Sequence, residues 1–213
     1  MNSKPFHSLC VLAGLALLAG CAPYVTVGGK YMASGGDFEV DFPQGWRKHE
    51  MAFDNDRASI MMLEELRKQR ELKWDIVRIT RDGLMLQRIA IGKMTSDTEL
   101  SHTKKRLAKD ALPQEVAELI IDDFRSNSEL QNQQLVENSP AKIAGYPGFK
   151  LVYSYQTKKG LTVKAVYYGL ILATPLPTIY YLVYEAPERH YFAKDLPIFE
   201  RLKETFTIKA RSG

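Results

Sequence analysis

Three consecutive segments between residues 149 and 185 constrain the fold more than any other part of the chain. Apolar and polar residues alternate from Phe149 to Gln156, and after Lys158-Lys159-Gly160 the alternation returns from Leu161 to Tyr167. A third apolar segment, Thr178 to Glu185, follows two prolines. Alternation at a period of two predicts strands with one buried face, and consecutive strands joined by short turns pair antiparallel. We therefore predict a three-stranded antiparallel meander.

The remaining patterns add further strands and two helices to this meander. A strand is predicted from Phe38 to Phe42, and a hairpin over residues 74–93 with its turn at Arg81-Asp82-Gly83, because Asp-Gly supplies the positive φ angles of tight turns. Apolar residues at helical spacing predict an amphipathic helix from Pro113 to Arg125. They also indicate a second helical pattern over residues 192–206, which is interrupted near Asp195-Leu196-Pro197, where a new helix can begin. Together these elements predict an α+β fold in which helices pack on an antiparallel β-sheet.

The first 21 residues resemble a bacterial lipoprotein signal peptide. Lys4 and His7 precede an apolar run from Leu9 to Leu18, which is too short to span a bilayer as a permanent helix. Leu18-Ala19-Gly20-Cys21 then has the form of a lipobox, in which the two small residues fit the signal peptidase and the cysteine thiol receives a diacylglyceryl group. The resemblance implies cleavage between Gly20 and Cys21 and lipidation of Cys21.

This anchor implies a domain organisation and a location. Residues 1–20 are the expected signal peptide, residues 21–37 the lipidated cysteine with a flexible tether that contains four glycines, and residues 38–213 a single domain. A coiled tether of about 15 residues would reach roughly 20 Å from the membrane. Ala22 stands where an aspartate usually retains such lipoproteins in the inner membrane. The expected location is therefore the outer membrane, facing the periplasm.

Composition excludes several classes of function for the part of the chain after Cys21. Cys10 and Cys21 are the only cysteines, so this part has no disulfide, thiol nucleophile or cysteine metal ligand. Of the 29 Lys and Arg residues only Lys4 precedes Cys21, and against 25 Asp and Glu residues the rest gives a net charge of +3. That charge is too balanced to indicate nucleic-acid binding. The 193 residues from Cys21 onward suffice for one core, and we expect a monomer without a cofactor.

The order of elements resembles the PsbP-like fold. Three features carry the likeness: a strand ending in Phe42-Pro43-x-Gly45-Trp46, the turn Gly145-x-Pro147-Gly148 before a hairpin, and a last strand followed by a helix ending at Phe206-Thr207. The resemblance spans about Phe38 to Ile208, and the same fold occurs in a Ran-binding nuclear import factor and in bacterial lipoproteins of the DcrB type. It implies binding to partner proteins and brings no catalytic residues to this chain.

Three shorter segments are similar to uncharacterised bacterial envelope lipoproteins. They are Thr80-Arg81-Asp82-Gly83, Pro147-Gly148-Phe149 and residues 186–192, which read Ala-Pro-Glu-Arg-His-Tyr-Phe. Together with the lipobox they imply a lipid-anchored, non-enzymatic periplasmic protein. The expected function is to bind or assemble with another envelope protein.

Residues that could ligate a metal are scattered along the chain. His49, His102 and His190 follow no spacing that would bring three or four ligands together on a metal ion, and no cysteine is available after Cys21. The sequence therefore predicts no metal site. Nor does it contain a nucleophile elbow or a phosphate-binding glycine loop.

A dense group of tyrosines leaves two interpretations open. Adjacent strand residues face opposite sides, so Tyr167 and Tyr168 cannot both be buried by one layer. We interpret the group as packing on both faces of the sheet, because a tyrosine hydroxyl tolerates a half-buried position. The alternative is a cleft lined by Tyr168, Tyr181 and His190 that would serve a small-ligand carrier or a cryptic enzyme. It predicts an open pocket where these three residues meet.

Overall fold

The computed structural model of the chain describes residues 24–33, 36–49, 75–84, 86–173 and 176–209. Within these residues nine strands form one sheet, and two α-helices pack against it. The strands are β1 (Tyr24–Met32), β2 (Phe38–His49), β3 (Asp75–Thr80), β4 (Arg88–Thr95), β5 (Leu130–Ile143), β6 (Tyr146–Thr157), β7 (Thr162–Leu172), β8 (Thr178–Pro187) and β9 (Thr207–Ile208). The helices are α1 (Pro113–Arg125) and α2 (Ala193–Thr205), and a π-helical turn at Glu188–Phe192 precedes α2. The predicted α+β fold is confirmed.

Eight strands pair antiparallel in the order β1-β2-β3-β4-β8-β7-β6-β5. The ninth, the short strand β9, pairs antiparallel with the start of β2. β6, β7 and β8 are the predicted meander, and each extends further than the predicted segment. The alternation in sequence stops early because these central strands are covered on both faces. In β7, for example, residues 165–170 are all buried, so both sets of alternating side chains are apolar.

Residues 24–32, predicted to belong to a flexible tether, form the edge strand β1. This strand pairs with β2 from Tyr24 opposite His49 to Met32 opposite Glu39. Three residues of β2, 43–45, lie opposite Gly28 alone, and β2 continues through them instead of ending at Phe42. The glycines that suggest a tether form part of this bulge, in which residues 29 and 45 have φ angles of +79° and +76°. The tether prediction is therefore wrong for these residues.

The sheet separates two hydrophobic cores. On one side, which we call the α2 face, Phe199 and Leu202 of α2 pack into a cluster of buried side chains from most strands. On the other side, the α1 face, Val116 and Ile121 of α1 pack on Phe149 and its neighbours. The helix α1 has the predicted bounds. The predicted interruption near Pro197 is wrong, because α2 begins at Ala193 and contains Pro197, which removes only the hydrogen bond to the first carbonyl of the helix. Among the described residues no helix is long and apolar enough to cross a membrane.

A buried ion pair joins the β3–β4 loop to the start of α2. The Asp195 carboxylate is fully buried, and its two oxygens lie 2.9 and 3.0 Å from the terminal nitrogens of Arg81. Gln87 Nε2 donates hydrogen bonds to Asp195 at 3.2 Å and to Asp82 at 2.9 Å, and the second of these lowers the pKa of Asp82. Gly83 has the expected positive φ, +130°, but the loop runs to Gln87 and is longer than the predicted tight turn.

The two ends of the described chain meet at the start of β2. β9 pairs with β2 through Ile208 opposite Phe38. The ring of Phe206 lies 5.3 Å from that of Phe38, and Lys209 Nζ lies 3.0 Å from a carboxylate oxygen of Glu39. The last residues of the described chain therefore cover the beginning of the second strand.

Candidate functional site

A groove of about 370 Å³ opens on the α1 face, between the C-terminal end of α1 and strands β4, β8, β7 and β6. Small-molecule sites in proteins have volumes of about 300–1,000 Å³. Because Tyr153, Tyr155, Tyr167 and Tyr181 form much of its wall, we call it the tyrosine groove. Its other lining residues are Arg88, Ala90, Ser101, His102, Ile120, Asp123, Phe124, Asn127, Leu130, Val183 and Glu185.

Strand register brings the four tyrosines together. Tyr153 and Tyr155 are two residues apart on β6 and therefore face the same side of the sheet. Tyr153 pairs with Ala165 of β7, and Tyr167 stands two residues further along on that same side. Tyr181 of β8 pairs with the residue two beyond Tyr167, which is a glycine. The small side chain of Ala165 and the absent one at the glycine leave space for the rings.

Ring contacts fix the walls of the groove. Tyr167 stacks between Phe149 and Tyr181, with ring centroids 5.8 and 5.7 Å apart and planes within 7° and 22° of parallel. From α1, Phe124 lies 4.1 Å from the ring of Tyr153 and 5.9 Å from that of Tyr155. Such aromatic pairs contribute about 0.5–1.5 kcal/mol each beyond the burial of their surface. The groove is therefore a preformed feature of the fold.

One end of the groove is charged. Arg88 and Glu185 are directly opposite each other on β4 and β8, and their side chains form an ion pair of 2.7 Å. The Tyr155 hydroxyl donates a hydrogen bond to the other oxygen of Glu185. Burial, and next to it the negative charge of Glu185, raises the pKa of both Tyr153 and Tyr155. Both hydroxyls therefore stay protonated near neutral pH and can donate hydrogen bonds.

The rim of the groove is held by Asp123 of α1. Its Oδ1 accepts hydrogen bonds of 2.8 Å from the backbone N–H groups of His102 and Thr103 and one of 3.1 Å from the Thr103 hydroxyl. These contacts fasten residues 101–103 to the helix. The imidazole of the exposed His102 thus stands at a fixed edge of the groove.

The structure does not bring together Tyr168, Tyr181 and His190, the residues of the predicted cleft. Tyr181 lines the tyrosine groove on the α1 face, whereas Tyr168 lies in the core of the α2 face and donates a hydrogen bond of 3.0 Å to Glu200. His190 is exposed on the π-helical turn. Tyr168 pairs with Leu182, the neighbour of Tyr181, and neighbouring strand residues face opposite sides. A single cleft lined by these three side chains is therefore not formed.

Sequence reasoning missed most of the groove. Tyr153 and Tyr155 are visible as alternating residues of β6, but only the pairing of β8 with β4 places Arg88 beside Glu185. Nothing in the sequence specifies that pairing, because the two residues are far apart along the chain. Gly20 and Cys21, the predicted cleavage and lipidation positions, lie outside the described residues. Within the described residues no group of three or more His, Cys, Asp or Glu side chains could hold a metal ion.

Comparison with known proteins identifies the fold. No protein-family model and no curated protein matches this sequence. Among solved structures the chain is similar to the cyanobacterial PsbP protein CyanoP of Synechocystis sp. PCC 6803, with a TM-score of 0.50 and 11% identity over 90% of this chain and 95% of that chain. The chain has a PsbP-like fold. This confirms the predicted resemblance at the level of architecture.

Two further solved structures were found with lower similarity. The Ran-binding protein Mog1p of Saccharomyces cerevisiae has a TM-score of 0.47 and 10% identity, over 86% of this chain and 96% of that chain. LpqN of Mycobacterium tuberculosis, which is involved in cell envelope biogenesis, has a TM-score of 0.38 and 11% identity, over 90% and 88% of the two chains. At such identities a PsbP-like fold does not specify a ligand, so the function must be argued from the groove.

Proposed function

We propose that the chain is a lipid-anchored, non-enzymatic binding domain of the bacterial envelope, and that it binds a partner envelope protein through the tyrosine groove. The groove itself carries the proposal. It is a concave site in which the partly exposed Tyr153 stands over the largely buried rings of Tyr155, Tyr167 and Tyr181. Tyrosine is enriched at protein interfaces because one end of its side chain is apolar and the other polar. The lipobox at Leu18-Ala19-Gly20-Cys21 would supply the anchor.

The polar groups of the groove favour binding over catalysis. Glu185 is held by Arg88 and Tyr155, and Asp123 accepts three hydrogen bonds from residues 102 and 103. A general base must instead be able to reach a proton of the substrate. Charged groups that are already paired with neighbours serve better as fixed contacts for a partner. Lipidation at Cys21 and residence in the outer membrane, facing the periplasm, complete the proposal.

The volume of the groove favours one second function, that of a small-ligand carrier. About 370 Å³ suits a small molecule as well as a side chain of a protein partner. Since Tyr168 and His190 lie elsewhere, this alternative now concerns the tyrosine groove. Native mass spectrometry of the purified protein distinguishes the two: a stoichiometric small molecule that survives purification would favour the carrier.

The partner can be sought by photocrosslinking in intact cells. A photoreactive residue at Asn127, which lines the groove, should capture an envelope protein, whereas the same residue at the exposed Leu161 should not. Leu130→Lys, which places a charge in the groove, should abolish the Asn127 product. Leu135→Lys places the same charge on an exposed position of the same strand and is the matched control. Equal products at the two photoreactive positions, or no effect of Leu130→Lys, would reject the groove as the binding site.

The anchor has its own test. Cells fed a fatty-acid analogue should label the wild-type chain and not the Cys21→Ser variant, because a hydroxyl cannot form the thioether. Label retained on the serine variant would refute the lipoprotein assignment without bearing on the groove.

A further inference from the structure

We infer that a short spacer holds the β1–β2 corner of the sheet against the membrane surface, an inference that rests on the lipid anchor proposed above. Only Ala22 and Pro23 separate Cys21 from the first residue of β1, Tyr24. Consecutive Cα atoms are 3.80 Å apart, so the Cα of Tyr24 can lie no more than about 11 Å from that of Cys21. This reach is about half of the roughly 20 Å that a coiled tether of 15 residues would give. The folded domain therefore cannot stand away from the lipid head groups.

The residues at this corner suit contact with a lipid surface. Val25, the second residue of β1, is 46% exposed, so an apolar side chain lies at the surface only four residues from Cys21. β2 and β3 bring the basic residues Arg47, Lys48 and Arg78 to the same corner. Anionic phospholipids attract basic side chains that lie near the bilayer.

The position of β1 in the sheet also fixes where the tyrosine groove stands. The groove lies on strands β4, β8, β7 and β6, which are three to six strands from β1 in the sheet order. Neighbouring strands are about 4.8 Å apart, so the groove is roughly 14–29 Å from β1 along a flat sheet. With β1 at the membrane, the groove would open into the periplasm at most about 30 Å above the head groups. A partner must therefore present its binding segment within this distance of the bilayer.

Fluorescence quenching by lipids tests the orientation. After lipidation no free thiol remains, so a cysteine introduced at Val25 or at Leu161 can be labelled alone. Both positions are exposed apolar residues, 46% and 44%, but Leu161 precedes β7, five strands from β1. The full lipidated chain is placed in vesicles of phosphatidylethanolamine and phosphatidylglycerol that carry a nitroxide on the head group. We expect quenching of the label in Val25→Cys and none in Leu161→Cys.

Lengthening the spacer provides the control. Insertion of about 20 Gly and Ser residues between Ala22 and Pro23 would extend it to roughly 25 Å and should abolish the quenching at position 25. Equal quenching at both positions, or quenching at position 25 that persists after the insertion, would overturn the inference while leaving the anchor intact. A chain without fatty-acid label at Cys21 would overturn the anchor and this inference together.

Discussion

Replacing Arg81 by methionine should destabilise this protein more than its place in a loop suggests. The Arg81 side chain is 27% exposed, whereas the Asp195 carboxylate with which it pairs is 0% exposed. In the variant the buried carboxylate would keep, among its partners in the described residues, only the hydrogen bond from Gln87. Removing one partner of a buried ion pair costs about 3–5 kcal/mol, because the remaining charge stays out of water.

The matched control is Asp195→Asn, which removes the charge from the buried side of the pair. The cation on Arg81 is left partly exposed and can be hydrated, and the introduced amide oxygen can still accept a hydrogen bond. We expect a loss of about 1–2 kcal/mol for this variant. The double variant Arg81→Met/Asp195→Leu should be more stable than Arg81→Met alone, since apolar residues of similar volume often replace a buried pair without cost.

Urea unfolding followed by tryptophan fluorescence, to which the buried Trp46 contributes, measures these differences. With a slope of about 2 kcal/mol per molar urea, Arg81→Met should lower the midpoint by about 1.5–2.5 M. The decisive quantity is the difference between the free energies of unfolding of Arg81→Met and Asp195→Asn. If Asp195→Asn proved as destabilising as Arg81→Met, the difference in burial between the two side chains would not govern the strength of this contact.

Three further predictions concern packing and pH. Gly169→Ala should lower the free energy of unfolding by about 1–3 kcal/mol, because the added Cβ would lie 2.3 Å from the Phe149 ring. Gly28→Ala is the control, since its Cβ meets only the flexible end of the Gln44 side chain. Equal melting temperatures of the two variants would contradict this prediction. Phe199→Ala should cost about 3–5 kcal/mol, and a melting temperature lowered by less than about 5 °C would show that α2 contributes little to the core. Folding raises the pKa of several described tyrosines above the ordinary value of 10.0, most strongly those of Tyr153, Tyr155, Tyr168 and Tyr184. Stability should therefore be full below pH 10 and fall above it, by about 1.4 kcal/mol per pH unit for each tyrosine that ionises only when unfolded. Tyrosinate absorbance should rise together with the loss of circular dichroism, and full ionisation at pH 10 in a folded protein would refute the prediction.

Local sequence patterns predict those strands and helices in which the spacing of apolar residues follows one period, two for a strand or 3.6 for a helix. Residues 149–156 alternate because one side of β6 packs under α1, and α1 itself is marked by Pro113 at its first position and by apolar residues at helical spacing. The same rules fail for β1. Gly28 and Gly29 have the composition of a linker, yet the contacts that turn them into a strand come from residues 39–49, and a local pattern does not contain them.

The sequence predicts that tyrosines contribute to a candidate site, but it does not predict which residues line that site together. The density of tyrosines predicts that tyrosine side chains pack on both faces of the sheet. In the structure Tyr181 lies on the α1 face and Tyr168 on the α2 face. Which tyrosines share a face depends on register, and Tyr168 and Tyr181 differ because the residue that pairs with Tyr168 is Leu182. The ion pair at the end of the groove depends on the order of the strands as well as on their register. Arg88 and Glu185 lie opposite each other only because β4 pairs with β8.

The contact between β2 and β9 has a consequence for how the chain is made. Phe38, near the beginning of the described chain, is covered by Phe206 and paired with Ile208, so its burial must wait for residues that are synthesised much later. Contacts between such distant residues form late, because a long loop must close before they contribute. A chain that emerges from the ribosome with its N-terminus first therefore cannot complete this part of the core until residue 208 is free to pair. The α2 face of the sheet closes only when the chain is available as far as β9.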